Sequence, residues 1–164
     1  MLSECHPQAL RIAGLLRARR ETLAVADGAT GGLIAACLLT VPNALDFFVG
    51  GGVVYSLRAR DVLFDLPRDA YRGMRGASED YALLQARALR ERLGADWGLA
   101  ESGSAGGSVH PSGAALGRSV VALVGPDGEF VRTTETGSDM RIDNMEAFTR
   151  AALDHCERTL ANPR

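Results

Sequence analysis

The side chains able to do chemistry in this chain gather in two glycine-rich stretches. Asp27-Gly28-Ala29-Thr30-Gly31-Gly32 offers a carboxylate and a hydroxyl, and Ser102-Gly103-Ser104-Ala105-Gly106-Gly107-Ser108 offers hydroxyls before running through His110 and Pro111 to Gly117. Glycine lets a backbone come within hydrogen-bond reach of an oxyanion or phosphate, so Gly28, Gly31, Gly32 and Gly103 are candidate ligand contacts. Thr30 is a candidate nucleophile, although a threonine before Gly-Gly at a helix start reads more simply as an N-cap. Asp27 is a candidate base or ribose ligand, and equally a residue that bonds its own turn. His110 is a candidate base, against the plainer reading of a solvated loop histidine. Tyr55, a candidate catalytic hydroxyl, and Ser56, a candidate ligand contact, close a valine-rich run. Arg60 and Arg141 carry planar donor forks suited to a phosphate, or sit as solvated helix arginines. Neither stretch is G-x-x-x-x-G-K-[ST], and no G-x-G-x-x-G opens a helix. No Asp, Glu or His spacing makes a metal site, and no cofactor is expected.

The elements that must position these residues follow from periodicity. Leu10, Ile12, Ala13, Leu15 and Leu16 form a helical face within residues 1–20, so the chain opens with an amphipathic helix. A strand over Thr22–Ala26, the first glycine turn and a helix over Leu33–Leu39 come next. Phe47–Tyr55 reads as a strand whose Gly50-Gly51-Gly52 admits a bulge or a close backbone approach. Helices are expected over Leu57–Phe64, over Ser78–Leu93 with Ser78 as N-cap and Gly94 as stop, and over Met140–Leu160. Trp97–Glu101 reads as a third strand, and Arg118–Val124 with Glu129–Thr134 as a hairpin around Asp127-Gly128. Helices alternating with strands and one closing hairpin make an α/β fold in three layers, α/β/α, around a mixed central sheet.

A length of 164 residues suits a single domain over 1–164. A formal charge of -2 supplies no broad field for nucleic acid or an anionic membrane, and neither partner is expected. All 18 basic residues are arginine, so no lysine can serve as a base. Three cysteines without C-x-x-C spacing suggest neither disulfides nor zinc and suit a cytoplasmic location.

Taken in order, these segments resemble the CinA C-terminal domain family, whose characterised members hydrolyse the amide of nicotinamide mononucleotide. Ala26-Asp27-Gly28-Ala29-Thr30-Gly31-Gly32-Leu33 stands where that family has A-E-S-C-T-G-G-L, and Gly51-Gly52-Val53-Val54-Tyr55-Ser56 stands for G-G-x-V-x-Y-S. Gly76-Ala77-Ser78-Glu79 is similar to G-A-V-S-E with one residue fewer. Leu93-Gly94-Ala95-Asp96 and Ser102 to Gly106 are similar to L-G-A-D and S-G-I-A-G-P, and Arg141 matches in spacing an arginine that opens the last helix. The resemblance implies the α/β/α fold, a pocket at Tyr55, Ser56, Ser102, Ser104 and Arg141, and a homo-oligomer. It also implies a serine nucleophile at position 28 and a lysine base at position 60, where this chain has Gly28 and Arg60. An arginine, with a pKa above about 12, cannot take a proton from a nucleophile at neutral pH. The first expectation is therefore a degenerate homologue that binds a nucleotide-like small molecule without the Ser/Lys chemistry. A second is a hydrolase of changed mechanism, in which Thr30 or water attacks, Asp27 or His110 is the base and second-loop amides hold the oxyanion. A third is an assembly protein.

Overall fold

The computed structural model describes residues 1–162, and the last two residues of the expected 1–164 span lie outside the described residues. Among the described residues five helices and five strands follow in the order α1 (Leu2–Arg19), β1 (Leu23–Asp27), α2 (Leu33–Leu39), β2 (Phe48–Val53), α3 (Leu57–Phe64), α4 (Glu79–Leu93), β3 (Trp97–Ser104), β4 (Arg118–Gly125), β5 (Gly128–Glu135) and α5 (Arg141–Ala161). Short 3₁₀ turns at Ala44–Asp46 and Arg68–Tyr71 were not legible in the sequence. The strands form one mixed sheet in the order β2-β1-β3-β4-β5. β1 pairs in parallel with β2 and β3, while β3, β4 and β5 pair antiparallel.

Period-2 alternation sorts the strand residues onto two unlike faces. Leu23, Val25, Trp97, Leu99, Val121 and Leu123 face α1, α2 and α5 and join the larger core. Ala24, Ala26, Ala100 and Ala122 face the opposite side with α4. That small-residue face lets α4 lie close: a Cβ at Gly98 would overlap the Ala86 carbonyl. At β2, Val49 is the extra residue of a bulge, since Leu23 pairs with Phe48 and Ala24 with Gly50. The same strand supplies a close approach, because a Cβ at Gly51 would overlap the Val25 carbonyl.

Gly94 ends α4 at φ 61, as its position suggests. Ser78 takes the N-cap backbone position, but its hydroxyl donates to Arg75 O instead of capping an amide. The third strand is longer than expected. It runs on to Ser104 because Ser102, Gly103 and Ser104 pair with Val120, Ser119 and Arg118, so these three belong to a strand end and the loop begins at Ala105.

Candidate ligand-binding site

Ligands in open α/β sheets settle beyond the carboxyl ends of parallel strands. There, at the ends of β1 and β3, a cavity of about 440 Å³ opens, inside the range of about 300–1,000 Å³ that holds small molecules. Gly28 and Ala29 come from the turn after β1, and Tyr55, Ser56 and Arg60 from the entry to α3. Gly76 and Tyr81 flank the start of α4; Ser102, Gly103 and Ser104 end β3; His110 and Ser112 come from the long loop and Arg141 from the first residue of α5.

The polar groups are held by identifiable partners. Ser102 Oγ accepts from Ala77 N at 3.0 Å, and Ala77 O accepts from Arg118 Nε at 3.1 Å. These two bonds hold Ala77 at φ 56, a conformation costly to any residue with a Cβ. Ser56 Oγ accepts from Ala59 N at 3.1 Å and caps α3. Arg60 gives Nε and Nη2 to Asp61 at 3.1 and 2.9 Å and lies 3.6 Å above the Tyr71 ring. Burial opposes its charge, but Asp61 and Tyr81 together hold the guanidinium above its ordinary pKa. Arg141 Nη1 donates to Gly106 O at 2.9 Å.

His110 is arranged as a donor. Its Nδ1 accepts from Ser112 N at 3.2 Å, which in the neutral ring puts the proton on Nε2. Burial pushes the imidazole below its usual pKa, so the neutral form is favoured. The ring therefore has no lone pair left for the base role.

Among the described residues the lining holds two arginines and no aspartate or glutamate. Two carboxylates beside the lining are engaged by it: Asp61 by Arg60, and Asp139 by Gly107 N at 2.7 Å. Gly28, Tyr55, Ser56, Arg60, Ser102, Gly103, Ser104, His110 and Arg141 are brought together. Tyr55 sits past the end of β2 on the rim and is 76% exposed, not a half-buried strand residue.

Asp27, Thr30, Gly31 and Gly32 do not line the cavity, so the structure does not bring these four together with the other candidates. Asp27 is 1% exposed and accepts from Ile34 N at 3.1 Å and Ala35 N at 3.2 Å, so it caps α2 from within the turn. Thr30 is wholly buried and donates to Asp27 Oδ1 at 2.6 Å; Gly32, at φ 96, takes the N-cap position instead. Thr30 N is bonded to Glu101 Oε2 at 3.0 Å. Glu101, a carboxylate in the central strand, is the signal that strand reading passed over, since a wholly buried acid in a sheet interior needs an explanation. Tyr81 and Ser112 were also unread, with no motif to mark them. Gly28 lies so near β3 that a Cβ there would overlap the Glu101 carbonyl. A serine at position 28, as the resemblance implies, has no room on this backbone.

The profile of the CinA C-terminal domain family matches residues 6–160. The chain belongs to that family. This CinA domain is 36% identical over 147 residues to a CinA-like protein of Prochlorococcus marinus, covering 89% of the chain and 34% of the relative. It is 35% identical over 150 residues to a CinA-like protein of Frankia casuarinae, covering 92% and 34%. The chain thus spans about a third of the length of these curated relatives. The crystal structure of a competence-damaged protein (CinA) superfamily member from Klebsiella pneumoniae superposes with a TM-score of 0.87 at 23% identity, covering 96% of this chain and 98% of that one. A competence/damage inducible protein from Agrobacterium tumefaciens gives 0.86 at 22% identity, covering 96% of each. At that identity the likeness concerns the fold.

Proposed function

We propose that this CinA domain binds an anionic, nucleotide-sized small molecule in the β1/β3 cavity and does not cleave its amide through a serine–lysine pair. The observation that carries the reading is the charge of the lining: Arg60 and Arg141 face a cavity that no carboxylate lines among the described residues. A phosphate-bearing ligand suits that field, with the unspent guanidinium donors of Arg141 as its clamp. The exposed ring of Tyr55 offers a stacking face at the rim for a base. Nicotinamide mononucleotide, the substrate that the family resemblance suggests, has both parts.

Hydrolysis by the changed mechanism loses its groups. Thr30 and Asp27 are buried against each other, and His110 offers a proton where a lone pair is needed. The assembly reading expected bulky side chains in place of a cavity, and the cavity is open. Titration calorimetry with nicotinamide mononucleotide, beside an ammonia-release assay on the same preparation, tests the proposal. Saturable binding without ammonia supports it; ammonia release at the rates of ordinary deamidases, or no binding of the mononucleotide, overturns it.

A further inference from the structure

Behind the cavity floor lies an acid that the binding site does not touch. Glu101 is 0% exposed, yet its carboxyl sits where two floor residues lack side chains. A Cβ at Gly28 would come 3.3 Å from Oε2, and one at Gly103 would come 2.6 Å from Oε1. The acid thus fills the volume that both glycines leave empty on the side away from the ligand.

Proton counting then restricts its state. The Thr30 hydroxyl has one proton and gives it to Asp27 Oδ1 at 2.6 Å. The same oxygen lies 3.2 Å from Glu101 Oε2, a distance that makes a hydrogen bond only if Glu101 supplies the proton. With both carboxyls ionised, two negative charges would face each other across one hydroxyl, and among the described residues neither carboxyl forms an ion pair. Asp27 is the better place for the charge, because the Ile34, Ala35 and Gly32 amides at the start of α2 point at it. Glu101 has the Ser119 hydroxyl and one amide, Thr30 N. Burial pushes both carboxyls up, against more backbone amides at Asp27 than at Glu101, and the charge of Asp27 adds to the push on Glu101. The other titratable group against the pair is the Cys37 thiol on α2, pushed up to about 12 by burial and so neutral. From β4 the acid receives the Ser119 hydroxyl beside its cross-strand partner Val121, and α5 sets the Met145 methyl against Gly31, none of them charged.

We propose that Glu101 is a positioning residue for the ligand site, carried as a neutral carboxylic acid whose proton bridges through Thr30 to Asp27 and holds Gly28 and Gly103 in place. Ionisation sets two carboxylates against each other and spreads the ends of β1 and β3, so ligand affinity falls as Glu101 loses its proton. The affinity part rests on the binding function proposed above; the protonation part does not.

The test is an infrared titration of the full chain, wild type and Glu101→Gln, with amide NMR shifts of Gly28 and Gly103 followed over the same pH range. A protonated-carboxyl C=O band at neutral pH that disappears at alkaline pH, is missing from Glu101→Gln, and titrates together with the two glycine shifts is the expected result. Absence of the band from the wild type, its survival in Glu101→Gln, or glycine shifts that ignore its titration overturns the proposal, and the wild-type titration needs no variant to fold. Calorimetry with nicotinamide mononucleotide then separates the two readings. Affinity should weaken by about tenfold per pH unit above the Glu101 titration in the wild type and stay level in Glu101→Gln. Equal pH profiles in the two proteins overturn the coupling. Absence of binding at every pH refutes the binding function while the infrared and NMR results still decide the acid's role.

Discussion

Gly28→Ala adds one methyl group and should be among the most destabilising single-methyl changes in the molecule. The new carbon overlaps the Glu101 carbonyl oxygen and sits 3.3 Å from both the Glu101 carbonyl carbon and its Oε2. Main-chain atoms of a central strand cannot rotate away as a side chain end would. Relief requires β1 and β3 to part just beyond their last pair, Ala26 with Ala100, where Thr30 is tied to Glu101. Overpacking of this kind costs about 1–3 kcal/mol, and overlap with main-chain atoms on a tied segment places Gly28 near the top of that range. The proper comparison is Gly14→Ala: Gly14 lies inside α1, exposed, with nothing within 4 Å of its added Cβ. There the same methyl should stabilise by about 0.5–1 kcal/mol through helix propensity. Urea unfolding of both variants, with unchanged slopes, reads the two values directly. If Gly28→Ala unfolds within about 0.5 kcal/mol of the wild type, the floor is looser than described and the steric account of position 28 is wrong. Gly28→Ser carries the same carbon, so introducing a hydroxyl there disturbs the floor it is meant to serve.

The remaining expectations concern charge. Asp27→Ala removes the acceptor for two α2 amides and for Thr30, and should cost about 2 kcal/mol in urea unfolding. Arg141→Ala should weaken mononucleotide binding by about 10- to 100-fold in calorimetry while moving unfolding stability by less than about 0.5 kcal/mol, since the side chain is exposed. Glu101 gives a signed pH effect. Its folded pKa is raised, so between the unfolded value near 4.3 and its own titration the folded state keeps a proton that the unfolded chain has lost. Stability from this group is full below that window and is lost as pH rises through it, at about 1.4 kcal/mol per pH unit. Glu101→Gln has no such slope, so its stability relative to the wild type should improve steadily with pH, as followed by urea midpoints; a constant difference would refute the assignment.

Most of the fold could be read from local signals, because glycine and proline punctuate the elements and the faces of β1, β3 and β4 alternate. The end of β3 could not. Ser102-Gly103-Ser104 has the composition of a loop, and only its pairing with Val120 to Arg118, a contact distant in sequence, makes it a strand. The site divided along the same line. Arg60 and Arg141 were legible as donors from residue type and placement, and the structure brings both to one cavity. The turn-bonding alternative for Asp27 could be weighed from the sequence, but the place of Thr30 could not, because nothing local to the turn reveals that Thr30 reaches Glu101, 71 residues further on, and not the open side of the cavity. His110 was legible only as a histidine in a loop; the tautomer that removes it as a base depends on Ser112 two residues later.

The unequal faces of the sheet bear on how the cavity can respond to an occupant. The wall at Tyr81 is carried by α4, whose main chain is seated against Gly98 without an intervening side chain, so that wall can neither slide nor tilt without breaking close packing. A second wall, from Ala105 to Gly117, is tethered by hydrogen bonds to backbone groups, from Asn144, Asp139 and Arg141 at the start of α5 and from Ser112 to Gly76 O. Such tethers exchange partners at far smaller cost than a packed interface does. Accommodation of differently shaped guests therefore falls to one side, with the helix as anvil and the loop as the adjustable jaw.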